Sequence, residues 1–424
     1  MKLFCNKKTY SDGGYGWVVV LCAFCIGFIT DGISFAFGIL LVELLDVFEQ
    51  GRAPTLAIGA VMSGMMYCIG PLSGALCTKY GYRAIAVSGS IISTVGFVIG
   101  SFSSNILHLC LSYGFLGGTG FGLMYLSANV CMMHHFKERQ AIANGLAMCG
   151  SGAGAFAFNH LTNFLLESFG WRGTLLLTGG IVLNGVVFGL LLLQPTTANE
   201  DLLSDPNTAG KLNIKEETGQ CSKPLRAIKT FCEQTFKEIL FKDISCFIFF
   251  VSVFLYSFGR DVPFSLIPDQ VTELGMSTTQ AAWLISVAGI TNTVSRAGFG
   301  WIGYRQCIKR MVLLEILTFL LGISTGLSFL FISFETKLLY MSMYGIFTGG
   351  YNSLRRIVLA DIFGMEMLDK SFGLMMLIIA IADAVSTPSL GWLFDKTGNY
   401  NMSFIVTGAV FIFGGILMLI PRIL

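Results

Sequence analysis

Residues Ser286–Trp301 read SVAGITNTVSRAGFGW, an apolar stretch with one arginine, Arg296, well inside it. A permanent guanidinium charge at the centre of a membrane helix costs roughly 2.5–3.5 kcal/mol on insertion scales. Such a charge usually faces a protein interior or a water-filled path, and its planar donors suit a carboxylate. Asn292 lies four residues earlier and shares the face of Arg296 on a helix. The stretch predicts a membrane helix organised around a polar pair.

The composition of the whole chain also indicates a membrane protein. Its 424 residues are 54% hydrophobic and 12% charged, and the mean hydropathy is +0.71. Soluble domains are about 45–50% apolar and about 25% charged. A net charge of +2 without a basic block argues against nucleic acid as a partner. We expect an all-α integral membrane protein in a lipid bilayer.

Spans of about 20 apolar residues are needed to cross a bilayer, and twelve such spans are found between polar or turn-rich breaks. In the first half they cover residues 16–44, 55–77, 84–104, 107–133, 140–166 and 173–194. In the second half they cover residues 244–268, 280–304, 310–333, 338–364, 371–394 and 401–420. This pattern predicts two six-helix bundles, 16–194 and 244–420, joined by a polar linker, 195–243. The flanking pieces are an N-terminus, 1–15, and a short tail, 421–424.

Orientation follows from the distribution of Lys and Arg, which favour the cytosolic side. If both termini are cytosolic, the linker places seven Lys and Arg on the inner side. The outer loops then hold four, namely Arg52, Arg172, Lys337 and Lys396. The bias predicts that both termini are cytosolic. Two repeated halves joined by a cytosolic loop are typical of secondary transporters.

Two short motifs carry a resemblance to a known family. The stretch GALCTKYGYR, residues 74–83, resembles the GxLxDxxGxR loop of the major facilitator superfamily, with Arg83 matched and Thr78 in place of the usual acid. The stretch DGGYGW, residues 12–17, resembles the signature that opens helix 1 of the monocarboxylate transporter family. Further similar stretches lie at residues 134–154, 170–180 and 391–400. The resemblance covers all twelve spans and is weakest in the linker.

The resemblance implies a plasma-membrane carrier with the major facilitator fold and a central site between its halves. Substrates of the family are small carboxylates and, in some members, aromatic amino acids, iodothyronines or creatine. It implies that Arg296, which matches the helix 8 arginine of the family, pairs with the substrate carboxylate; a buried ion pair or a clamp on backbone carbonyl oxygens is the alternative role for this side chain. A single-span ancillary glycoprotein is implied as a partner of some members.

Two departures from the family pattern bear on proton coupling. Asn292 stands where the proton-coupled members keep an aspartate, and the helix 1 lysine of those members is missing. Asp31 is instead the ionisable group in the middle of span 1. It is a candidate proton carrier or counter-charge of Arg296, with a structural partner as the alternative. Asp383 in span 11 is the second candidate proton acceptor.

Other polar groups in the spans are candidates for the site or for structural pairing. Arg260 and Asp261 are adjacent in span 7, where they satisfy each other or gate the outer mouth. Arg355 and Arg356 are neighbours in span 10, about 100° apart on a helix. We expect one of them to snorkel and the other to pair with Asp361 or bind substrate. Candidate cavity-lining groups, each also explicable as an interhelical hydrogen bond, are Tyr125, Asn129, Asn159 and Tyr351.

Enzymatic, metal and cofactor sites are not expected. Neither HExxH nor a Ser-His-Asp order stands out in the loops, and Cys22 and Cys25 form an isolated CxxC in an apolar span. His134, His135 and Glu138 cluster at the end of span 4, where an interfacial anchor is favoured over a metal site.

The prediction is therefore a secondary active or facilitative carrier of small monocarboxylates or related organic carboxylates, working by alternating access. Facilitated or weakly proton-coupled transport is favoured over obligate proton symport. The alternatives are a carrier of aromatic amino acids or other zwitterionic carboxylates, and a non-transporting membrane receptor or scaffold. A channel is a weaker third class.

Overall fold

The computed structural model describes residues 13–48, 52–193, 244–260, 262–273, 275–276, 278–305, 308–365, 367–397 and 400–423. Residues 1–12 of the predicted N-terminal piece, the whole predicted linker (195–243), Asp261 and the last residue lie outside these ranges. The described residues form helices that group into twelve segments matching the twelve predicted spans.

The first half is built from eight α-helices and one π-helical stretch. These are α1 (Tyr15–Phe48), α2 (Arg52–Cys68), α3 (Gly70–Tyr80), α4 (Tyr82–Ser101), α5 (Ile106–Leu109), the π-helix Cys110–Gly117, α6 (Gly118–His135), α7 (Gln140–Leu183) and α8 (Gly185–Leu190). The Tyr15 hydroxyl donates a hydrogen bond of 2.8 Å to the Leu191 carbonyl oxygen. The start of α1 and the end of α8 therefore lie at one end of the bundle, called here the Tyr15 end.

The second half is built from seven described α-helices. They are α9 (Ile244–Arg260), α10 (Val262–Glu273), α11 (Thr278–Arg305), α12 (Arg310–Gly326), α13 (Phe334–Phe363), α14 (Leu368–Thr397) and α15 (Tyr400–Ile423). Span 9 was predicted to reach residue 333, but α12 ends at Gly326 and a 3-10 turn, Ser328–Leu330, follows it. Residues 327–333, which read LSFLFIS, therefore belong to a connection rather than to the helix, although most of them are apolar.

Six helices of the described ranges are long and apolar enough to cross a membrane, or seven if the bent pair α2–α3 counts as one span. One of these runs, Gln140–Leu190, holds predicted spans 5 and 6, so the seven runs cover eight of the twelve spans. The other four are α11 to α14. Helix α12 has 17 residues, and α11 and α13 carry the arginines of the candidate site. The two helices that carry the arginines are thus among those that do not qualify as spans by length and apolarity alone.

The second span is broken in its middle, which the sequence analysis did not predict. Helices α2 and α3 meet at Ile69 with a bend of 44°. Pro71 lies in the first turn of α3, and its ring nitrogen cannot donate the hydrogen bond that would continue α2 through this point. The bend turns α3 toward the second half.

Spans 5 and 6 are joined without a loop. The helical run Gln140–Leu183 contains one residue outside helical geometry, Gly170, with φ 63° and ψ 178°. This backbone conformation is open to glycine and strained for residues with a side chain. The predicted boundary, between residues 166 and 173, brackets the turn correctly. The end of the bundle that carries it is called here the Gly170 end.

Glycines let α1 and α7 pack backbone to backbone. A Cβ atom added at Gly150 would lie 2.1 Å from the Phe24 carbonyl oxygen, and one at Gly154 would lie 2.2 Å from that of Phe28. Only glycine fits at such spacings, and the four-residue interval places both on one helix face. Gly150 and Gly154 thus allow the backbones of α1 and α7 to approach closely.

Contacts between the two halves are made mainly by α7 on α11 and by α3 on α14. Each pair crosses at glycine. Cβ atoms added at Gly70 and Gly373 would each lie 2.6 Å from the other residue's carbonyl oxygen. A Cβ at Gly145 would lie 3.1 Å from the Cα atom of Gly300. The halves thus meet through main chain at two crossings.

Candidate functional site

Four charged side chains are buried where the two halves face each other. Asp31 of α1 is 7% exposed, Arg296 of α11 is 8% exposed, and Arg355 and Arg356 of α13 are 6% and 1% exposed. Electrostatic interactions join them, because Arg356 interacts with Arg355, Arg296 and Asp31. Together these four side chains carry three formal positive charges and one negative charge. A buried excess of positive charge is costly unless an anion compensates it.

Arg296 reaches across the boundary between the halves. Its Nη1 donates a hydrogen bond of 2.8 Å to the Met148 carbonyl oxygen of α7, whereas its Nε is buried with no hydrogen-bond partner among the described residues. Its own carbonyl oxygen accepts a bond of 3.1 Å from the Ser353 hydroxyl. The Asn144 amide of α7 donates to the Ser353 carbonyl oxygen at 2.7 Å. The arginine is held in place while part of its guanidinium stays available.

Asp31 faces this positive cluster from the other half. The Ser151 hydroxyl is a hydrogen-bond partner of its carboxylate, and Arg296, Arg356 and Arg260 attract it electrostatically, in that order. The contact with Ser151 joins α1 to α7 within one half, whereas the arginines belong to the other half. The predicted counter-charge for Arg296 is therefore placed in range of three arginines.

Arg355 and Arg356 are both buried, so the expectation that one of them snorkels is wrong. Arg356 donates hydrogen bonds to the Tyr125 hydroxyl and to the Asn129 side-chain oxygen of α6. Its guanidinium carbon also lies 5.1 Å from the Tyr125 ring centroid and 5.3 Å from that of Phe372. Two nitrogens of Arg356 are therefore bonded to the first half and its guanidinium packs on rings of both halves, whereas its Nε is buried without a hydrogen-bond partner among the described residues.

Asp361 does not pair with Arg355 or Arg356. It accepts two hydrogen bonds from Arg310 Nη1, of 2.9 Å and 3.0 Å. This pair links α12 to α13 inside the second half at the Tyr15 end. The sequence placed Asp361 near the arginines along the helix, but its side chain lies half-exposed on the surface, away from the buried face.

Asn292 and Tyr351 lie on the second-half side of the site. The Asn292 amide donates a hydrogen bond of 2.8 Å to the Thr348 hydroxyl, which joins α11 to α13. The Tyr351 ring stacks on Tyr256 of α9, with ring centroids 3.5 Å apart. The Tyr351 hydroxyl is buried with no hydrogen-bond partner in the described part of the chain. Tyr351 thus borders Arg355, whose guanidinium carbon lies 5.8 Å from its ring centroid, and Asn292 lies one helical turn before Arg296.

Arg260 pairs with Asp383 rather than with its neighbour in sequence. Arg260 Nη2 lies 3.1 Å from the Asp383 Oδ2 atom, which joins α9 to α14 within the second half. The Tyr344 hydroxyl donates to the Arg260 carbonyl oxygen. Asp261 lies outside the described residues. Asp383, predicted as a proton acceptor, therefore has a cation beside it.

A cluster around Asp369 joins the halves at the Tyr15 end. Asp369 lies in the first turn of α14. It accepts a hydrogen bond of 2.7 Å from the Tyr82 hydroxyl and one of 3.3 Å from the Thr78 hydroxyl, and the His134 Nε2 atom lies 3.4 Å away. These three side chains belong to the first half. We call Asp369, Tyr82, Thr78 and His134 the latch.

Asp369 was missed by the sequence analysis, although a signal for it was present. Thr78 replaces the acid of the matched loop motif, and the acid stands instead on the opposite half, where the Thr78 hydroxyl reaches it. Arg83, from the same motif, is exposed at the start of α4. No group of His, Cys, Asp and Glu suited to a metal ion is found among the described residues, and His134 serves the latch.

A sequence model of the Major Facilitator Superfamily matches residues 19–244 and 249–423. Monocarboxylate transporter 12 of Mus musculus is 32% identical to the chain, over 97% of this chain and 86% of the relative. Monocarboxylate transporter 13 of Rattus norvegicus is 30% identical, over 98% and 91%. The chain belongs to the monocarboxylate transporter family of the major facilitator superfamily. The predicted family, the twelve-helix fold and the absence of enzymatic function are confirmed.

A solved structure supports the fold of this transporter independently. The proton:xylose symporter XylE bound to 6-bromo-6-deoxy-D-glucose superposes with a TM-score of 0.71 at 16% identity, over 95% of each chain. At that identity the likeness concerns the fold alone. In this fold, the substrate site of a transporter lies between the two repeated halves, where Arg296 and its neighbours are found here.

Proposed function

We propose that this transporter carries small monocarboxylates or related organic carboxylates by alternating access. The observation that supports this most is the buried guanidinium of Arg296, which crosses between the halves and keeps a donor without a partner. Guanidinium matches a carboxylate because its planar donors can form two parallel hydrogen bonds. Related proteins named monocarboxylate transporters point to the same substrate class.

The charge of the site favours an anion over a zwitterion. Three arginines and one aspartate leave a formal excess of two positive charges among these buried groups. A carboxylate lowers this excess, whereas a zwitterionic amino acid leaves it unchanged. The stacked pair of Tyr256 and Tyr351 supplies aromatic surface that an aromatic amino acid would use, so this substrate class is the second candidate.

We propose that coupling to protons is weak or absent. Asn292 cannot take up a proton near neutral pH, and its amide is already bonded to Thr348. Asp383 has Arg260 beside it, which stabilises the charged carboxylate. Asp31 is the remaining candidate for a proton-carrying residue, and any proton coupling would run through its carboxylate.

Alternating access requires the contacts between the halves to break in turn. The latch, the Arg356 bonds to α6 and the Asn144–Ser353 bond all lie from the middle of the bundle toward the Tyr15 end. We propose that the described state is open toward the Gly170 end. The distribution of Lys and Arg supports an orientation in which the Tyr15 end and both termini are cytosolic. We propose that the carrier lies in the plasma membrane, with a single-span ancillary glycoprotein as its partner class. The two moving units are the bundles 16–194 and 244–420.

The test is uptake of a radiolabelled panel of monocarboxylates and amino acids by cells that express the wild type, Arg296→Ala or Arg310→Gln. Arg310 is the matched control because it pairs with Asp361 inside one half, away from the site. Arg296→Ala should abolish saturable carboxylate uptake at unchanged surface level, and Arg310→Gln should retain it. Unchanged fluxes in Arg296→Ala would contradict the proposal and favour a non-transporting receptor. Uptake should also depend little on an imposed pH gradient; steep acid stimulation that Asp31→Asn removes would refute weak coupling.

A further inference from the structure

Arg355 is buried without any hydrogen-bond partner among the described residues. Its Nε and Nη1 atoms are shielded from solvent and unbonded, and its guanidinium carbon lies 5.8 Å from the centroid of the Tyr351 ring. Arg296 and Arg356, by contrast, donate hydrogen bonds to the opposite half. Arg355 is therefore the least satisfied cation of the cluster.

The position of Arg355 excludes a role at the lipid surface. It is 6% exposed, and the adjacent Arg356 donates hydrogen bonds to Tyr125 and Asn129 of α6, in the other half. Arg355 thus lies at the boundary between the halves. An arginine stays charged in proteins. Burying a charge without a partner is costly, because the charge loses its hydration and gains no compensating contact. Such a group is expected to be compensated by a bound anion.

A second unsatisfied donor lies one helical turn away. The Tyr351 hydroxyl is buried without a hydrogen-bond partner in the part of the chain that the structure describes. Residues four apart share a helix face, so Tyr351 and Arg355 offer donors from the same face of α13. Stacking on Tyr256 fixes the tyrosine ring, which orients its hydroxyl in advance.

We propose that Arg355 and Tyr351 form a second carboxylate subsite and that the substrate is a dicarboxylate bound between Arg296 and Arg355. This inference rests on the proposed function and selects, from the related organic carboxylates named there, those that carry two carboxylates. Three arginines and Asp31 leave two positive charges. One carboxylate leaves one of them uncompensated, whereas two carboxylates bring the formal charge of the site to zero.

The experiment compares uptake of succinate and of lactate at pH 7.4 by the wild type, Arg355→Gln and Arg296→Gln. Loss of a hydrogen-bonded charged contact weakens binding about 10- to 150-fold. Arg355→Gln should lower kcat/KM for succinate by that factor and lower the value for lactate by a clearly smaller factor, because lactate loses only the long-range attraction of one charge and no direct contact. Arg296→Gln should lower both. Tyr351→Phe keeps the ring stack and should raise the KM for succinate alone.

Three outcomes would overturn the inference. They are a wild type that takes up lactate but not succinate, an Arg355→Gln variant with unchanged succinate uptake, and equal losses of both substrates in that variant at normal surface level. If Arg355→Gln does not reach the membrane, competition in the wild type decides, because succinate must then inhibit lactate uptake at lower concentration than unlabelled lactate does. Absence of every carboxylate flux would refute the proposed function itself, which is a separate result.

Discussion

We predict that the Asp369 carboxylate of the latch controls the equilibrium between the states in which the Tyr15 end is closed and open. Asp369→Asn keeps the size of the side chain and one acceptor oxygen but removes the charge. The Tyr82, Thr78 and His134 contacts join opposite halves, so they exist only while the Tyr15 end is closed. Asp369 also lies at the N-terminus of α14, where the helix dipole stabilises a negative charge. That stabilisation lies within one half and persists in both states, so it cancels from the equilibrium.

The magnitude follows from the bonds that differ between the states. The Tyr82 bond, at 2.7 Å, is short and well buried, whereas the contacts at 3.3 Å and 3.4 Å are weaker. A hydrogen bond to a charged group contributes about 1.5–3 kcal/mol. We assign that range to the latch as a whole, and its loss shifts the ratio of the two states about 10- to 150-fold toward opening of the Tyr15 end.

The assay is a distance measurement by pulsed electron paramagnetic resonance. Spin labels at Tyr80→Cys and Ile308→Cys lie at exposed positions of opposite halves, in a background with native cysteines replaced and uptake verified. Asp369→Asn should add a population at longer distance. Asp361→Asn is the matched control, because it breaks an ion pair of the same end inside one half. Identical distributions for Asp369→Asn and the wild type, or an equal shift in Asp361→Asn, would refute the reasoning.

Two further predictions concern stability, measured as the thermal unfolding midpoint of purified protein. Gly154→Ala should lower the midpoint, because overpacking of a tight contact costs about 1–3 kcal/mol. The control is Gly180→Ala, whose added Cβ meets nothing within 4 Å and which should leave the midpoint unchanged or raise it. Equal effects of the two substitutions would contradict the packing explanation. Arg260→Gln should lower the midpoint more than Arg260→Gln/Asp383→Asn, because the single change removes the cation at 3.1 Å from the Asp383 carboxylate. An equally or less stable double variant would contradict this.

The arrangement of helices could be predicted from the sequence because lipid imposes it. An apolar run of about 20 residues has few options other than a spanning helix, and the polar linker separates the halves. The bend at Ile69 and the π-helical stretch Cys110–Gly117 could not be placed in this way, because hydropathy reports composition and not backbone hydrogen bonding. Pro71 was the visible signal for the bend.

Charge partners were the weakest part of the sequence-based analysis. Neighbours in sequence were considered for Arg260 and for Arg356, whereas the structure pairs Arg260 with Asp383 and Arg356 with Tyr125 and Asn129. Partner choice depends on the rotation of each helix about its axis and on packing between distant segments. Arg296 could be recognised because its cost in lipid is a property of the residue itself. The roles proposed for the site residues remain predictions.

The glycine crossings have a consequence for the speed of this transporter. Where Gly70 meets Gly373 and Gly145 meets Gly300, main chain faces main chain, so few side chains must change rotamer at these two points when the halves move. Interlocked side chains would add friction to every cycle. At the glycine crossings the helices can move relative to each other with little side-chain rearrangement. The turnover rate should therefore depend on the few polar bonds between the halves that must break, rather than on repacking of side chains at the boundary.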